Sequence, residues 1–568
     1  MEVDKQNIEV SIAPESFTPD EMRVLSVFFT NTDRSVFFAK NTIPAEVVAA
    51  LSSRYSRSEK SVRRIFLDEF YNNEEFSSVI GDTNVSENSL NDSLQTKKAQ
   101  QFFEKWLSLY GDDSIAEMGG VNVFCEDISN IASNYLESFE LGSFLEKSSR
   151  YVSFSAKDNK GRYGYIVPEE IRGSEYGNEF ENIVSEMFEL YSELQGPYLD
   201  YIKRLYPKEE GETDRSFHNS RSAKRFDDLR DLLPFATKTN VAIHLNGRLL
   251  EDIISKGIDH PLSEVRQLCN DLLTESGEIV GSFTKRVTSP RGNEASHYYG
   301  QIYRFSLDNS IPIIGKDAVV SSSEDTSARV VVSDVELVAY TDDELLVLAS
   351  ILYDRSDSDL SFTDYRNYLA GLSYDDIGVL YEKVFKLRYD SGSEREKVKS
   401  KKLPNAFKLG SYTFEVVSRG GDYRDLFRHR VVVHQRPKFS TKLGYSVDDD
   451  LTFSPYMERI ADLFSRVDKF YRSLPKEVLP YSEYLIPYAF HQRYLMSMSA
   501  WEAYHLIELR TGPQGRKHYR EIAQKMSDIL KELHPRIFSG LQTDYDSYAL
   551  SRRNSELRIE NKQSKIDP

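Results

Sequence analysis

The stretch FEVVSRGGDYRDLFRHRVVVHQRPKF, residues 414–439, decides the fold, because a related order of elements occurs in the first half of the chain. There, a run with helical apolar spacing breaks at Gly142 and leads into LEKSSRY, residues 145–151. The run comprises Ile128, Ile131, Ala132, Tyr135, Leu136 and Phe139. The recurrence is one of pattern rather than identity, and it predicts an internal duplication.

A second recurrence lies downstream of each stretch. Residues 233–273 and 486–530 each begin with an apolar residue and Pro, and both predict a helical run, a break at Gly and a second amphipathic helix. Arg266 and Arg520 each fall in the first turn of that second helix, beside free backbone N–H donors. The two halves therefore repeat an order of elements that extends over most of their length.

The length fits two domains. A chain of 568 residues is too long for one ordinary core, and two domains of roughly 280 residues would account for it. The polar SSSEDTS stretch from Ser321 lies near the middle. We predict a first repeat over 1–305, a linker over 306–335, a second repeat over 336–550 and a charged tail over 551–568.

Composition excludes several classes of protein. The net charge of −18 disfavours non-specific nucleic-acid binding, so an anionic ligand should be small and locally held. Two distant cysteines suggest neither a disulfide framework nor a Cys-based metal site, and a reducing, cytoplasmic setting is expected. No apolar run reaches the roughly 20 residues that span a bilayer, so we expect no membrane association.

The densest chemical signal is YRDLFRHR, which places Arg424, Arg428, His429 and Arg430 within seven residues of an otherwise acidic protein. Guanidinium groups bind phosphate oxygens in bidentate geometry, and an imidazole beside them can hydrogen-bond a heteroaromatic ring. The cluster suits a dinucleotide cofactor. The alternative is an interdomain ion network in which these arginines pair with Asp422, Asp425 or acids of another segment.

The loop LEKSSRY offers an acceptor, a hydroxyl, a guanidinium and an aromatic ring through Glu146, Ser148, Arg150 and Tyr151. Such groups can hold a nucleotide by its sugar, phosphate and base, although an ordinary exposed loop carries them too.

Other single residues carry weaker signals. Asn246 and Arg248 could orient a ligand from a helix or lie on a solvated face. Arg510 could bind a ligand or offset a helix dipole. The sequence holds no GxxxxGK[ST], GxGxxG, HExxH or CxxC motif, so no metal is expected.

Together these residues resemble the flavin-dependent thymidylate synthases, whose signature is an Arg-His-Arg triplet followed by a Ser, an Asn-Glu, a second Ser and a closing Arg-Tyr. The first half keeps the end of this signature, in Ser143, Glu146, Ser148, Arg150 and Tyr151. SIAEM from Ser114 is similar to an upstream motif of the family. The second half keeps its beginning, in Ser418, Arg419, Arg428, His429 and Arg430.

Each half also departs from the signature. In the first half, the place of the Arg-His-Arg triplet is taken by Ser138, Phe139 and Glu140, and the place of the Asn is taken by Leu145. In the second half the places for Ser, Asn, Glu and Ser hold Val433, Gln435, Arg436 and Lys438. Downstream of the signature, the first half matches family positions at Asn246, Arg248 and Arg266. The second half matches them at Arg493, Leu509, Arg510 and Arg520, but it has Ser499 and Trp501 where the family has Asn and Arg. Neither half is a complete site.

The resemblance implies an α+β fold of two tandem domains, each a mixed sheet packed with long helices. It implies reductive methylation of dUMP to dTMP, with FAD as cofactor and NADPH and methylenetetrahydrofolate as co-substrates. Because the family is a homotetramer with sites at subunit interfaces, a fused pair implies a homodimer with composite sites.

The resemblance also assigns roles to individual residues. Those implied to bind the cofactor are Arg428, His429, Arg430, Asn246, Arg248 and Arg510. Those implied to bind substrate are Glu146, Ser148, Arg150, Tyr151, Arg493, Arg520 and Arg266. Arg428 and Arg520 are the implied catalytic residues, acting through positioning and electrostatic activation of the uracil ring.

Two alternatives stay open. The chain could be an inactive family member that binds flavin or nucleotide, or that serves as an oligomeric scaffold. Nucleic-acid binding through the arginine cluster is disfavoured by the acidic total and by the lack of interleaved aromatic residues.

Overall fold

A computed structural model describes residues 16–41, 43, 45–56, 58–71, 116–150, 152–308, 334–354, 356–389, 401–548 and 550. Most of the predicted 306–335 linker and the whole 551–568 tail lie outside these residues, as do Ser114 and Tyr151. The predicted domain boundaries therefore stay predictions.

The described residues form helices with short strands between them. In chain order the elements are α1 Pro19–Phe28, α2 Ala45–Tyr55, α3 Val62–Ile65, β1 Gly120–Ser129, α4 Asn130–Glu137, β2 Ser143–Glu146, α5 Glu169–Arg172, α6 Gly177–Leu205, α7 Asp214–Leu229, β3 Lys238–Asn246, α8 Gly247–Gly257, α9 Ser263–Ile279, α10 Gly281–Thr284, α11 Pro290–Asp308, β4 Asp334–Tyr340, α12 Glu344–Tyr353, α13 Phe362–Ala370, α14 Tyr374–Tyr389, β5 Ser411–Arg419, α15 Gly420–Leu426, β6 Val433–Gln435, α16 Asp449–Thr452, α17 Met457–Ser473, β7 His491–Ser499, α18 Ala500–Arg510 and α19 Lys517–Leu533. This is an α+β architecture with long helices, as the sequence predicts.

The chain divides into two compact units. Unit one comprises Met1–Cys125, Leu141–Leu145 and Val241–Ile311, and unit two comprises Glu126–Glu140, Glu146–Asn240 and Pro312–Pro568. The first repeat contributes a three-stranded sheet in the order β1-β3-β2, and residues of this repeat occur in both units. A structural unit is therefore not the same as a sequence repeat.

Unit one has an apolar core contributed by its first three helices. Leu25 and Phe28 of α1 and Val47 and Leu51 of α2 are buried together with Phe66. The Phe28 and Phe66 rings lie 5.0 Å apart. In another part of the unit, the buried Glu46 carboxylate accepts a hydrogen bond from the backbone N–H of Ser282 at 3.2 Å, which satisfies a polar group that would otherwise be costly to bury.

Unit two holds a four-stranded sheet in the order β4-β5-β7-β6, with antiparallel pairing throughout. Strands β5 and β7 pair over their full length, from Ser411 opposite Ser499 to Arg419 opposite His491. Tyr412, Phe414 and Val416 alternate into the core of this unit. The sheet thus fixes the end of β5, where the arginine-rich segment begins.

The two repeats meet inside unit two through a duplicated set of backbone hydrogen bonds. Phe235 N–H donates to the Ile486 carbonyl and Tyr488 N–H donates to the Leu233 carbonyl, both at 3.0 Å. Pro234 and Pro487 face each other in the resulting bridge. Because each residue of one repeat mirrors a residue of the other, these bonds describe a local two-fold relation, which supports the predicted duplication.

Two parts of the predicted secondary structure are wrong. The predicted helix from Ile128 starts only at Asn130, because Ile128 belongs to strand β1, which ends at Ser129, the N-cap of helix α4. The predicted helical runs after Pro234 and Pro487 are present as α8 and α18, but each is preceded by a strand, β3 or β7, that the sequence did not predict. Alternating burial along β3 shows the period of two that was missed. The second amphipathic helices are confirmed, with Arg266 in the first turn of α9 and Arg520 in the first turn of α19.

No helix within the described ranges combines the length and the apolar character needed to cross a bilayer.

Candidate functional site

The two halves of the sequence signature meet within unit two. Arg424 of α15 donates to Glu146 Oε1 at 2.7 Å, and the Arg428 guanidinium lies 3.6 Å from Glu146 Oε2. Glu146 comes from the first repeat and both arginines come from the second. The sequence predicted this convergence of the serine-arginine loop with the arginine cluster.

A second contact between the repeats involves Arg150, whose side chain is largely buried. Its Nη2 donates to Asp425 at 2.6 Å, and its Nε forms an ion pair with Asp227 at 3.1 Å. Arg230 also donates to Asp425, at 2.7 Å. Burial alone would raise the pKa of Asp425, but the guanidinium groups of Arg150 and Arg230 hold it well below its usual range.

Glu137 lies at the edge of the same cluster. Its carboxylate is 3.6 Å from the Arg430 guanidinium. Burial, together with the neighbouring Glu146 carboxylate, raises the pKa of Glu137 to about 7. Glu137 therefore changes its charge near neutral pH, unlike an exposed glutamate.

His429 is buried and both of its ring nitrogens are engaged. Nδ1 lies 2.8 Å from Glu502 Oε1, and Nε2 accepts from Arg510 Nε at 2.9 Å. Burial and the Arg510 charge lower the pKa of His429 well below its usual value. The imidazole is consequently neutral at physiological pH.

Positive charge exceeds negative charge in this cluster. Among the residues that the structure describes, the cluster contains six guanidinium groups, five of which pair with four carboxylates. The guanidinium groups are those of Arg150, Arg230, Arg424, Arg428, Arg430 and Arg510, and the carboxylates are those of Glu137, Glu146, Asp227 and Asp425. Glu502 adds a further negative charge behind His429. A small phosphate-bearing ligand would compensate the remainder.

The other predicted ligand residues of unit two have protein partners. Ser148 Oγ accepts from the Arg150 backbone N–H at 3.3 Å. Arg493 on β7 is half-exposed and pairs with Glu415. Arg520 donates from Nε to the Thr511 carbonyl at 3.0 Å and from Nη2 to the Asp546 carbonyl at 2.8 Å. Their assignment to substrate stays a prediction, and so does that of Tyr151, which the described residues do not include.

Three predicted residues belong to unit one. Asn246 is the N-cap of α8, and its side chain accepts from the Leu249 N–H at 2.8 Å. Arg248 is exposed and pairs with Glu117. Arg266 donates to the His260 carbonyl at 2.7 Å and to the Pro261 carbonyl at 2.8 Å. Each has a local structural role, and their cofactor and substrate roles stay predictions.

Ser418 and Arg419, which matched the beginning of the family signature, have structural surroundings. Arg419 is fully buried and donates to Asp422 at 2.8 Å and to Asp231 at 2.9 Å. Arg516 donates to both oxygens of Asp231, at 3.0 and 2.9 Å. These contacts form a buried ion network that joins the repeats. The alternative that the sequence left open, in which the YRDLFRHR arginines pair with acids of another segment, corresponds instead to the contacts of Arg424 and Arg428 with Glu146 and of Arg430 with Glu137.

Sequence reasoning missed Glu137, Asp227, Arg230 and Glu502. All four carry charged groups at positions that are buried in the fold. The available signal was a charge on the apolar face of a helix, as for Glu137 on α4 and Glu502 on α18. A buried charge requires a partner, so such positions point to a network even when the partner is unknown.

A family model described as "thymidylate synthase complementing protein" matches residues 48–280 and 336–536 of this chain. The chain belongs to that family. Because the matches are two separate segments, this member of the thymidylate synthase complementing protein family is a tandem one, and the resemblance to the flavin-dependent enzymes is confirmed.

Relatives of the same length support this grouping within the thymidylate synthase complementing protein family. The chain is 31% identical to a UPF0159 protein of Chlamydia muridarum over 548 residues, covering 95% of this chain and 98% of the relative. It is 31% identical to a UPF0159 protein of Chlamydia pneumoniae over 550 residues, covering 96% and 98%. A UPF0159 protein of Thermoplasma acidophilum is 26% identical over 541 residues, covering 90% and 97%. The similarity to these relatives thus extends along nearly the whole chain.

Proposed function

We propose that the protein is an FAD-dependent thymidylate synthase that methylates dUMP reductively, using methylenetetrahydrofolate and NADPH. The observation that carries this proposal is the contact of Arg424 and Arg428 from the second repeat with Glu146 from the first. It unites the two parts of a signature that neither repeat holds complete. Domain boundaries near 305 and 336, a homodimer and a cytoplasmic location belong to the same proposal.

The donor set fits an anionic nucleotide group. Arg428 is the accessible member of the cluster, with 47% of its side chain exposed, and its 3.6 Å contact with Glu146 is long for a charge-assisted hydrogen bond. A phosphate oxygen can therefore compete for it. Arg430 and Arg510 would add further positive charge, and Arg150 would hold the first-repeat loop in place through Asp425.

The residues would act by positioning and electrostatics. Reduced flavin, when bound, supplies the hydride for the reaction. Arg428 and Arg430 would hold the anionic groups of the ligands. Glu146 would anchor the arginines when no ligand competes, and it would accept from a sugar hydroxyl when one does. Burial of the surrounding ion pairs strengthens each of these interactions relative to water.

Complementation of a thymidine auxotroph tests this proposal. We expect growth without thymidine from the native chain and none from Arg428→Ala expressed at the same level. The purified protein should be yellow, and dUMP should perturb its flavin absorption. Failure to complement by protein that is folded and loaded with flavin would overturn the catalytic proposal.

A specific observation favours a second candidate, a family member that binds nucleotide or flavin without catalysis. Arg248 and Arg493 pair with Glu117 and Glu415, and Arg520 donates to two backbone carbonyls. These residues match ligand positions of the family but are engaged by the protein itself. A chain that binds dUMP and fails to complement would support this candidate.

A further inference from the structure

The contacts of His429 fix where its proton lies. An arginine side chain can only donate hydrogen bonds, so the ring nitrogen that faces Arg510 Nε at 2.9 Å must be an acceptor. The single proton of the neutral ring is then on Nδ1, which points at Glu502 Oε1 at 2.8 Å. Protonating both nitrogens would set one N–H against another. The chain Glu502–His429–Arg510 is therefore directional, with each donor facing an acceptor.

The same atoms could be considered as a metal site. His429, Glu502 and His505 offer ligand atoms within 4.8 Å of one another. Two cations oppose this use: Arg510 occupies Nε2 of His429, and Lys402 Nζ lies 3.4 Å from His505 Nδ1. A metal ion bound at Nδ1 would move the ring proton to Nε2, where it would face the N–H of Arg510. Hydrogen-bonded positioning is the arrangement that these contacts favour.

Arg510 depends for its position on the hydrogen bonds that link Glu502, His429 and Arg510. No carboxylate of the described residues pairs with it, whereas the five other guanidinium groups of the cluster each have one. The Tyr519 ring lies 5.7 Å from its guanidinium carbon, and the Asp425 carboxylate attracts its charge without forming an ion pair with it. An arginine held by a neutral imidazole keeps its full charge for another anion. Fixing it with a carboxylate would cancel that charge.

We propose that Glu502 is a positioning residue, which orients His429 as the Nδ1–H tautomer and thereby presents the Arg510 charge to an anionic ligand. The identity of that ligand as a nucleotide rests on the proposed function, whereas the tautomer does not. Glu502 itself needs no contact with the ligand.

Comparison of the two repeats supports a joint role for the three residues. Helices α8 and α18 each have 11 residues and begin after the caps Asn246 and Ser499, so the element positions correspond. At the positions of His429, Glu502 and Arg510 the first repeat carries Phe139, Leu249 and Gly257. All three hydrogen-bonded residues are present in the second repeat, and all three are replaced in the first. This is expected if each residue of the three depends on the other two.

The first measurement is the ¹⁵N spectrum of histidine-labelled protein without ligand, with the His429 signals assigned through His429→Gln. We expect a protonated Nδ1 and an unprotonated Nε2 at pH 7. In Glu502→Gln the tautomer should persist, because the amide oxygen can accept from Nδ1–H. An Nε2–H tautomer, a doubly protonated ring, or stoichiometric Zn²⁺ binding that shifts His429 signals would overturn the proposal.

The second measurement is binding of dUMP and of FAD to three variants. Glu502→Leu should lose affinity for at least one of these probes by about tenfold or more, whereas Glu502→Gln should stay within about threefold of the native chain. Glu508→Gln is the matched control, because Glu508 is a buried glutamate of the same helix that pairs with Arg388 instead. Its affinity should be unchanged. Equal affinity of Glu502→Leu and the native chain would contradict the positioning role.

The two measurements separate this proposal from the proposed function. If the native chain binds neither probe, the proposed function fails, and the histidine spectrum still decides whether Glu502 sets the tautomer. If the native chain binds and complements while Glu502→Leu does the same, only the positioning role fails.

Discussion

Arg428 and Arg150 belong to the same predicted ligand set, but their side chains have different surroundings. Arg428 is 47% exposed, and its ion pair with Glu146 is long at 3.6 Å. Arg150 is largely buried between Asp227 and Asp425. The first can be removed with little effect on folding, and the second cannot. Mutations at these two positions therefore separate binding from stability.

We expect Arg428→Ala to weaken flavin retention by about 1.5 to 3 kcal/mol, the range for a hydrogen bond to a charged group, with less than about 1 kcal/mol lost in unfolding free energy. Flavin retained through gel filtration and urea denaturation measure the two effects. Arg466→Ala is the control, because Arg466 has a similar exposure of 44% and pairs with Glu186. Equal flavin loss in both variants would show that general surface charge, rather than the site, holds the cofactor.

We expect Arg150→Ala to lower the unfolding free energy by about 3 to 5 kcal/mol, because it leaves buried carboxylates without their partner. dUMP binding should weaken as well, even when the variant is fully folded. The double variant Asp227→Asn/Arg150→Ala should recover part of the stability and none of the binding. Urea denaturation and dUMP titration measure these effects, and a fully stable Arg150→Ala would contradict the burial of this charge.

Glu137 gives the site a pH dependence whose sign follows from its raised pKa of about 7. Between the unfolded value near 4.3 and about 7, the folded state holds a proton that the unfolded state releases. This residue's contribution to stability is therefore complete at low pH and is lost as the pH rises to about 7.

The variant Glu137→Gln removes that loss. We expect its stability relative to the native chain to increase by about 2 to 3 kcal/mol between pH 5 and pH 8. Urea denaturation of both proteins at the two pH values measures the difference. A difference that stays constant, or that changes in the other direction, would contradict the raised pKa.

At the level of single residues, the sequence located the groups but not their partners. Arg428 and Glu146 were predicted from the signature, and they meet. Glu137, which pairs with Arg430, and Arg230, which pairs with Asp425, were missed. A buried charge looks like any other charged residue in the sequence until the fold brings its counterpart near. Arg424 and Glu146 are 278 residues apart in the sequence, so no local sequence pattern indicates that they form a pair.

At the level of elements, the sequence predicted the amphipathic helices and missed the strands. Helix α19 was recognised because its apolar residues recur over 17 residues. Strand β7 has only nine residues and runs directly into α18, so its period of two merges with the helical pattern that follows. The junction between the two elements is set by the capping residue.

Asn246 tests such a junction, since the family resemblance assigns it to the cofactor and the fold makes it the cap of α8. We expect Asn246→Ala to lose about 1 kcal/mol of stability and Asn246→Ser to recover most of it, because serine also caps. Thermal or urea denaturation measures both. Flavin retention by Asn246→Ser, in which the cap is kept, then isolates any cofactor role.

At the level of the molecule, the sequence predicted the duplication, but it predicted only part of the difference between the two repeats. The order of elements recurs along the sequence. In the structure, the backbone hydrogen bonds of Phe235 with Ile486 and of Tyr488 with Leu233 relate the two copies by a local two-fold. The sequence also indicated that each repeat keeps a different part of the signature. It could not indicate that the kept parts meet within unit two, because that depends on the tertiary packing.

The local two-fold relation defines a second place where a site could have formed, and the residues there have changed. Arg436 occupies the position that corresponds to Glu146, and it donates to Glu483 at 2.7 Å and lies 3.5 Å above the Phe439 ring. Ser138 stands where the second repeat has Arg428. Arg436 is already paired and stacked, and an uncharged serine stands at the position that corresponds to Arg428. These residues therefore lack the free positive charge that a phosphate needs.

We therefore expect one nucleotide site per chain, although each chain carries two repeats. Isothermal titration with dUMP should give a stoichiometry of about one per chain, because Arg436, at the mirrored position, is already paired with Glu483. Arg428→Ala should weaken all of this binding, whereas Arg436→Ala, which removes the arginine at the position that corresponds to Glu146, should leave stoichiometry and affinity unchanged. A stoichiometry of two, reduced to one by Arg428→Ala, would mean that the mirrored position still binds ligand despite the pairing of Arg436 with Glu483.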